Sequence, residues 1–171
     1  GEPSEVEAKL AQLGLEPANY NGSGQIVAAG ITGAISELQE NPVAGTRVIP
    51  LQVAGAFHTR FMRPAVETMQ VYSQSIQMSD PQIALWSNNG GLAIASGAEF
   101  VELMVNQVSS PVRWDLCMDA MVKAGVTGII ELAPAGTLVG LAKRAMPGVE
   151  AVAVKTPENL EAALSLINNH S

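Results

Sequence analysis

The sequence has 171 residues, of which 47% are hydrophobic and only 15% charged, and its formal net charge is -7. This length allows one or two domains with a substantial buried core. The acidic balance, with no basic stripe, argues against nucleic acid as the main partner. The single Cys117 excludes an internal disulfide framework and a cysteine-rich zinc site, so we expect a reducing, cytoplasmic setting.

The sequence indicates neither a membrane span nor a secretion signal. No apolar run reaches the roughly 18 residues that a transmembrane helix needs, and the first residues are acidic and polar where a signal peptide is basic and then apolar. We therefore expect a soluble chain with no membrane partner. Its low charge content indicates that part of the surface packs against something else.

Residues 1–54 have the pattern of a small α+β unit. The predicted elements are a helix up to Gly14, strands over 17–21 and 25–29, a helix over 33–40 and a strand over 47–53. A capping box at Ser4 and Glu7 predicts the start of the first helix, and Pro50 indicates that the last strand is an edge strand or carries a bulge. The order is that of a ferredoxin-like βαββαβ unit that lacks its first strand.

Residues 55–171 show an α/β alternation, which indicates part of a larger body with a parallel sheet. The predicted elements are a helix over 60–77, a strand over 83–86, helices that begin after Ser96 and Pro111, a strand over 126–132, a helix over 136–144, a strand over 151–154 and a last helix after Thr156. A capping box at Ser96 and Glu99 marks one of these helices.

His58 is the first candidate for a catalytic residue. It stands in Gly55-Ala56-Phe57-His58-Thr59, where a strand-like run ends and a helical pattern begins. An imidazole at such a strand end is a suitable general base. The chain contains no Gly-x-Ser-x-Gly elbow that would supply a matching nucleophile. The sequence therefore predicts a base without its nucleophile.

A catalytic imidazole needs a hydrogen-bond partner on Nδ1 that fixes its tautomer. Asn88-Asn89 and Asn106-Gln107 each offer an amide or carbonyl oxygen, although the first is also typical of a β-turn and the second of a helix surface. No carboxylate stands out as the orienting group. We therefore expect a dyad oriented by an amide or a carbonyl rather than a full Ser-His-Asp triad.

Other polar positions allow simpler interpretations. Gly22-Ser23-Gly24 lacks the Walker lysine and the GxGxxG spacing, which favours a hairpin turn over a phosphate cradle. Asn19 and Asn21 share a strand face and either satisfy that turn or bind a polar ligand. Because carboxylates do not cluster around His58, we expect no metal site. Cys117 lies among apolar helix positions, as a packed thiol does.

Four blocks together resemble the family of bacterial malonyl-CoA:acyl carrier protein transacylases, in family order and over essentially the whole chain. They are Ala18-Asn19-Tyr20-Asn21-Gly22-Ser23-Gly24-Gln25-Ile26-Val27, Gly55-Ala56-Phe57-His58-Thr59, Gln107-x-x-Ser110-Pro111-Val112-Arg113-Trp114 and Glu131-Leu132-Ala133-Pro134-Ala135-Gly136-Thr137-Leu138. The resemblance is to the second half of that enzyme, an α/β-hydrolase-like body with an inserted ferredoxin-like subdomain. It implies that the nucleophile-bearing N-terminal half is a missing partner.

The resemblance implies a ping-pong mechanism. A serine outside this sequence takes the malonyl group from malonyl-CoA and passes it to the phosphopantetheine thiol of acyl carrier protein, in fatty acid biosynthesis. His58 would activate that serine and protonate the departing coenzyme A thiolate. Gln107 matches the position whose backbone carbonyl orients the imidazole, and Asn19 and Asn21 match the face that lines the entrance for coenzyme A or pantetheine. No cofactor is implied, since malonyl-CoA is a substrate.

Substrate and carrier-protein selection give further candidates. The resemblance implies that Phe57 biases the enzyme toward malonyl units by steric exclusion of a methyl branch, an effect of only about 1–3 kcal/mol. The acidic carrier protein needs local positive charge on an acidic chain. Arg60, Arg63, Lys143 and Arg144 are the candidate docking residues, and they fit solvated helix faces equally well.

The sequence thus predicts an acyltransferase as a complete protein and an isolated chain that is inactive. Two alternatives remain open. One is an acyltransferase domain of a polyketide or multifunctional synthase, and the other is a non-catalytic module that only docks carrier protein.

Overall fold

The computed structural model describes residues 2–170 and divides them into two compact units. The first unit runs to Trp114 and the second begins at Asp115. The predicted boundary between residues 54 and 55 falls inside the first unit, and that division stays a prediction. Both units contain helices and strands, which confirms the expected α/β class.

The first unit opens with the predicted order of helix, strand, strand and helix. These elements are α1 (Pro3–Gln12), β1 (Glu16–Tyr20), β2 (Ile26–Ala29) and α2 (Thr32–Glu40). Leu10, Leu15 and Leu38 form a buried core between them, and Val48 is one of the partly buried side chains packed against it. The two helices therefore cover the hairpin as in a ferredoxin-like unit.

The connection between β1 and β2 is the predicted hairpin turn. The strands are antiparallel, and the turn between them has positive φ angles at Gly22 (79°), Ser23 (49°) and Gly24 (77°). Two glycines adopt this backbone without the clash of a Cβ. The Asn21 N–H closes the turn by donating to the Gln25 carbonyl over 2.9 Å.

The segment 47–53 does not form the predicted strand. Within residues 2–170 it pairs with no other strand. Ile49, Leu51 and Val53 alternate along it, and they are 58%, 58% and 64% exposed. The alternation is typical of a strand, but a strand also needs a neighbour for its backbone hydrogen bonds. The prediction of a strand at 83–86 is wrong for the same reason, since only a single bridge joins Trp86 to Ala93.

In the rest of the first unit, the chain that follows helix α4 pairs with the β1–β2 hairpin. It contains a 3-10 helix (Arg60–Met62), α3 (Arg63–Ser73), α4 (Gly97–Gln107) and β3 (Val112–Arg113). β3 pairs in parallel with β1, which gives a three-stranded sheet in the order β2-β1-β3. The chain just after α4 is thereby fixed to the sheet.

The two predicted capping boxes had different outcomes. The Ser96 hydroxyl accepts the Glu99 N–H over 3.1 Å, and the Glu99 carboxylate accepts the Ala95 N–H over 2.8 Å, which confirms the cap of α4. The cap predicted at Ser4 is wrong, because α1 already begins at Pro3. Proline favours the first helical position, where no N–H is needed.

The second unit is a βαβα arrangement. Its elements are α5 (Trp114–Lys123), whose first residue still belongs to the first unit, β4 (Gly128–Leu132), α6 (Thr137–Ala145), β5 (Glu150–Val154), a 3-10 helix (Pro157–Asn159) and α7 (Leu160–Asn169). β4 and β5 are parallel and aligned from Gly128 opposite Glu150 to Leu132 opposite Val154. The predicted alternation of strands and helices is confirmed. No helix in the described part of the chain has the length and apolar character that a membrane crossing requires.

Cys117 is buried within α5. Burial, with a smaller contribution from the charge of Asp115, raises the pKa of its thiol above the ordinary value. Since the thiolate is the reactive form, this environment favours a packed and unreactive thiol.

Glu131 is a buried carboxylate at the end of β4, and only 8% of it is exposed. It accepts three backbone hydrogen bonds from the start of α6, from Gly136 (2.8 Å), Leu138 (3.0 Å) and Val139 (2.9 Å). Desolvation disfavours its charge, but these three N–H groups and the positive charge of Lys155 outweigh that effect and lower its pKa. The carboxylate therefore caps α6 in place of a side chain from the helix itself.

We predict that Glu131→Gln lowers the free energy of unfolding at pH 7 by about 1–3 kcal/mol, since one amide oxygen cannot serve three buried donors. The folded pKa lies below the unfolded value of about 4.3, so the carboxylate contributes its stability above that value. This contribution is lost as the pH falls through the lower, folded pKa. Chemical denaturation from pH 7 downward should show the two proteins converging in acid.

The matched control for this substitution is Glu161→Gln. Glu161 is an exposed acidic residue in the first turn of α7, so its replacement should change the free energy of unfolding by less than about 0.5 kcal/mol. A Glu131 variant as stable as this control at pH 7 would contradict the capping role.

Candidate active site

His58 lies in a tight turn between the unpaired segment 47–53 and the 3-10 helix Arg60–Met62. Its φ angle is 62°, in the left-handed region that few residues other than glycine enter. Its backbone N–H donates to the Val108 carbonyl over 3.2 Å. The imidazole is half-buried, so one side of it is accessible while its backbone is fixed to the end of α4.

The structure brings His58 and Gln107 together. The Nδ1 atom of His58 is 3.0 Å from the backbone carbonyl oxygen of Gln107, across 49 residues of sequence. Because a carbonyl oxygen only accepts, this contact is a hydrogen bond when Nδ1 carries the proton. Nε2 then keeps its lone pair. The imidazole is thus held in the tautomer that a general base requires.

The side chain of Gln107 has a different partner. Its amide nitrogen donates to the Ser110 carbonyl over 2.9 Å and lies 3.5 Å from Nδ1 of His58, at the limit of a hydrogen bond. Its amide oxygen is buried and has no hydrogen-bond partner within residues 2–170. The backbone carbonyl therefore makes the shorter contact with the imidazole, and the side chain fixes the loop that follows α4.

Asn19 and Asn21 lie on the sheet and its turn. Asn19 is paired within the sheet opposite Val27 and Val112. The backbone of Asn21 closes the hairpin turn, as described above. Both side chains are half-buried. Their proposed contact with coenzyme A or pantetheine stays a prediction, since the backbone accounts for the turn without them.

Phe57 precedes the histidine and is 47% exposed. It occupies the other central position of the turn that contains His58, so its ring lies next to the catalytic candidate in sequence and is open to solvent. Its effect on malonyl selection stays a prediction.

The four predicted docking residues differ in the contacts that they make. Arg60 forms an ion pair with the carboxylate of Glu16 and donates from Nη2 to the Gly14 carbonyl over 3.1 Å. Arg63 is exposed at the first position of α3. Lys143 and Arg144 are exposed in the last turn of α6, in the second unit. Arg60 is therefore engaged within its own unit, unlike a free docking charge.

The sequence did not single out Thr59 and Val108, although both hold the site together. Thr59 is fully buried and its hydroxyl donates to the Ala56 carbonyl over 2.6 Å. A threonine just before a helical pattern is a typical N-cap. The sequence could therefore have predicted that Thr59 caps the helix that follows it. Nothing in the sequence marks Val108, whose contribution is its backbone carbonyl.

Comparison with known proteins identifies relatives of the chain. No family model matches the chain. The malonyl CoA-acyl carrier protein transacylase of Mycobacterium tuberculosis is 46% identical over 166 residues, which cover 97% of this chain and 55% of the relative. The protein of the same name from Bacillus subtilis is 32% identical over 168 residues, which cover 96% of this chain and 51% of the relative.

Solved structures agree with these relatives. The crystal structure of MCAT from Mycobacterium tuberculosis matches with a TM-score of 0.89 and 47% identity, covering 95% of this chain and 54% of that chain. FabD from Acinetobacter baumannii matches with a TM-score of 0.92, covering 100% of this chain and 57% of that chain. At 23% identity this second match shows the fold alone.

The fold is that of the α/β acyltransferases. The chain spans about half the length of the curated relatives it matches. Within that class it is homologous to the malonyl CoA-acyl carrier protein transacylases and corresponds to their C-terminal half.

Proposed function

We propose that the protein containing this chain transfers the malonyl group from malonyl-CoA to the phosphopantetheine thiol of acyl carrier protein, in fatty acid biosynthesis. The observation that carries the proposal is the hydrogen bond of 3.0 Å between Nδ1 of His58 and the carbonyl of Gln107. It leaves Nε2 as a proton acceptor. The names of the relatives supply the two substrates.

His58 serves both half-reactions through Nε2. In the first, Nε2 takes the proton of a serine hydroxyl supplied by the other half of the protein, and the serine oxygen attacks the thioester carbonyl. The C–S bond breaks, and the coenzyme A thiolate leaves with the proton from Nε2. In the second, Nε2 takes the proton of the pantetheine thiol and the sulfur attacks the carbonyl carbon of the malonyl ester. The ester C–O bond breaks, and the serine oxygen leaves with the proton from Nε2.

The remaining chain residues select the substrates in this proposal. Phe57 limits the space beside the malonyl α-carbon, and Asn19 and Asn21 line the approach of the pantetheine arm. Local positive charge at Arg63, Lys143 and Arg144 attracts the acidic carrier protein against the overall charge of -7. The reaction needs no cofactor or metal, and the single Cys117 favours a cytoplasmic setting.

The hydrogen bond between Nδ1 of His58 and the Gln107 carbonyl favours an enzyme over a non-catalytic docking module. A docking surface does not require a histidine whose tautomer is fixed. An acyltransferase domain of a polyketide or multifunctional synthase would use the same dyad and would differ in the sequence that flanks it.

We predict that the isolated chain is not acylated by malonyl-CoA, because it supplies the base without the nucleophile. Incubation with radiolabelled malonyl-CoA followed by acid precipitation should leave no stable label on the 171-residue chain. The matched control is the protein expressed from its complete coding sequence, which should retain the label. Stable label on the isolated chain would overturn the division of the dyad between the two halves.

A second prediction separates the imidazole from the Gln107 side chain. In the complete protein, His58→Ala should lower kcat by about 100- to 10,000-fold, the contribution typical of a general base. Gln107→Ala keeps the backbone carbonyl and should cost less than about tenfold. Steady-state transfer to carrier protein measures both. Equal losses in the two variants would show that the side chain, and not the carbonyl, orients the imidazole.

A third prediction concerns docking. Arg63 is exposed and has no ion-pair partner among residues 2–170, whereas Arg60 is paired with Glu16. Arg63→Ala should therefore raise the KM for carrier protein by about three- to tenfold at low salt, and Arg60→Ala should raise it by less. A larger effect at Arg60 would assign docking to the paired arginine.

A further inference from the structure

Thr59 is a polar residue that the surrounding structure encloses completely. Its exposure is 0%, and it is one of three buried polar or charged residues in the described part of the chain, with Ser87 and Glu131. Burying a hydroxyl is unfavourable unless it is hydrogen-bonded. The position directly after His58 suggests that its bonds serve the site.

The hydroxyl of Thr59 spans the turn that contains His58. It donates to the carbonyl of Ala56 over 2.6 Å, on one side of the Phe57-His58 pair. It also accepts the N–H of Phe61 over 3.3 Å, which caps the 3-10 helix on the other side. One oxygen therefore connects the residue that enters the turn with the helix that leaves it.

The direction of the imidazole depends on this turn. The φ angle of 62° at His58 sets the direction of its Cα–Cβ bond. From that direction Nδ1 reaches the Gln107 carbonyl at 3.0 Å while the backbone N–H reaches the Val108 carbonyl at 3.2 Å. If the turn relaxes toward a negative φ, the side chain swings away from the end of α4.

We propose that Thr59 is a positioning residue for the general base. Its hydroxyl holds the left-handed backbone of His58, so that the proton on Nδ1 meets the Gln107 carbonyl and Nε2 remains unprotonated. Thr59 touches no substrate in this role. The structural part of the inference stands on the geometry alone, and only its consequence for turnover rests on the proposed function.

The substitutions that separate the hydroxyl from its volume are Thr59→Val and Thr59→Ser. Valine keeps the branched shape and removes the donor to Ala56, whereas serine keeps the donor. The matched control is Thr46→Val, because the Thr46 hydroxyl makes the same bond to the carbonyl three residues earlier, at 2.7 Å to Val43, in a turn away from His58.

The experiment measures the tautomer of His58 in the complete protein labelled with ¹⁵N-histidine. At a pH where the imidazole is neutral, the wild type, Thr59→Ser and Thr46→Val should each show one tautomer, with Nδ1 protonated and Nε2 free. Thr59→Val should show averaged nitrogen shifts from both tautomers. His170, the other histidine of the chain, is the internal reference.

The turnover of the variants should follow their tautomer states. Thr59→Val should lower kcat about tenfold or more with the KM for malonyl-CoA changed less than about twofold, since misplacement of a catalytic group affects the chemical step. Thr59→Ser should stay within about threefold of the wild type. Rescue by the hydroxyl distinguishes positioning from packing, because serine restores the donor without the lost methyl group.

The inference is overturned if folded Thr59→Val keeps the single tautomer and the turnover of the wild type. If Thr59→Val does not fold, Thr59→Ala replaces it, and the same two results in that variant would overturn the inference. A complete wild-type protein without malonyl transfer would contradict the proposed function and not the role of Thr59. In that case the tautomer measurement still decides between positioning and packing.

Discussion

The hydrogen bond between His58 and the Gln107 carbonyl depends on the end of a helix. Gln107 is the last residue of α4, and the last carbonyls of a helix have no partner within it. The imidazole shares the Gln107 carbonyl with the backbone N–H of Ser110, and the backbone N–H of His58 donates to the next carbonyl, at Val108. The negative end of the helix dipole thereby lies where the imidazolium would form in the proposed reaction.

The left-handed backbone at His58 has a cost that its contacts offset. A residue other than glycine in that region costs about 1–3 kcal/mol, while each neutral hydrogen bond contributes about 0.5–1.5 kcal/mol. Together, the two hydrogen bonds to the end of α4 and the two hydrogen bonds of the Thr59 hydroxyl contribute enough free energy to offset this cost. A single bond offsets only the lower end of that cost, so the turn depends on the four bonds as a set.

The sequence predicted several features that are encoded locally, although not the start of α1, and it missed features that depend on distant neighbours. The hairpin at Gly22-Ser23-Gly24 and the cap at Ser96 follow from backbone and capping chemistry within a few residues. The segment 47–53 has a strand pattern but no partner among the described residues, and pattern alone cannot supply one. His58 was found from its position in sequence. The burial of Thr59 was not predictable, because it results from packing.

The proposed division of a Ser-His dyad between two halves of a protein rests on what a base can do alone. An imidazole without a nucleophile forms no acyl intermediate, and members of a catalytic unit lose nearly all activity when one is absent. Exposed apolar groups in each unit fit this division, such as Ile49, Leu51 and Val53 in the first and Leu160, Leu164 and Ile167 along one face of α7. In a chain with only 15% charged residues, such surfaces are suited to packing against other protein, and under the proposed function that packing brings the serine to Nε2.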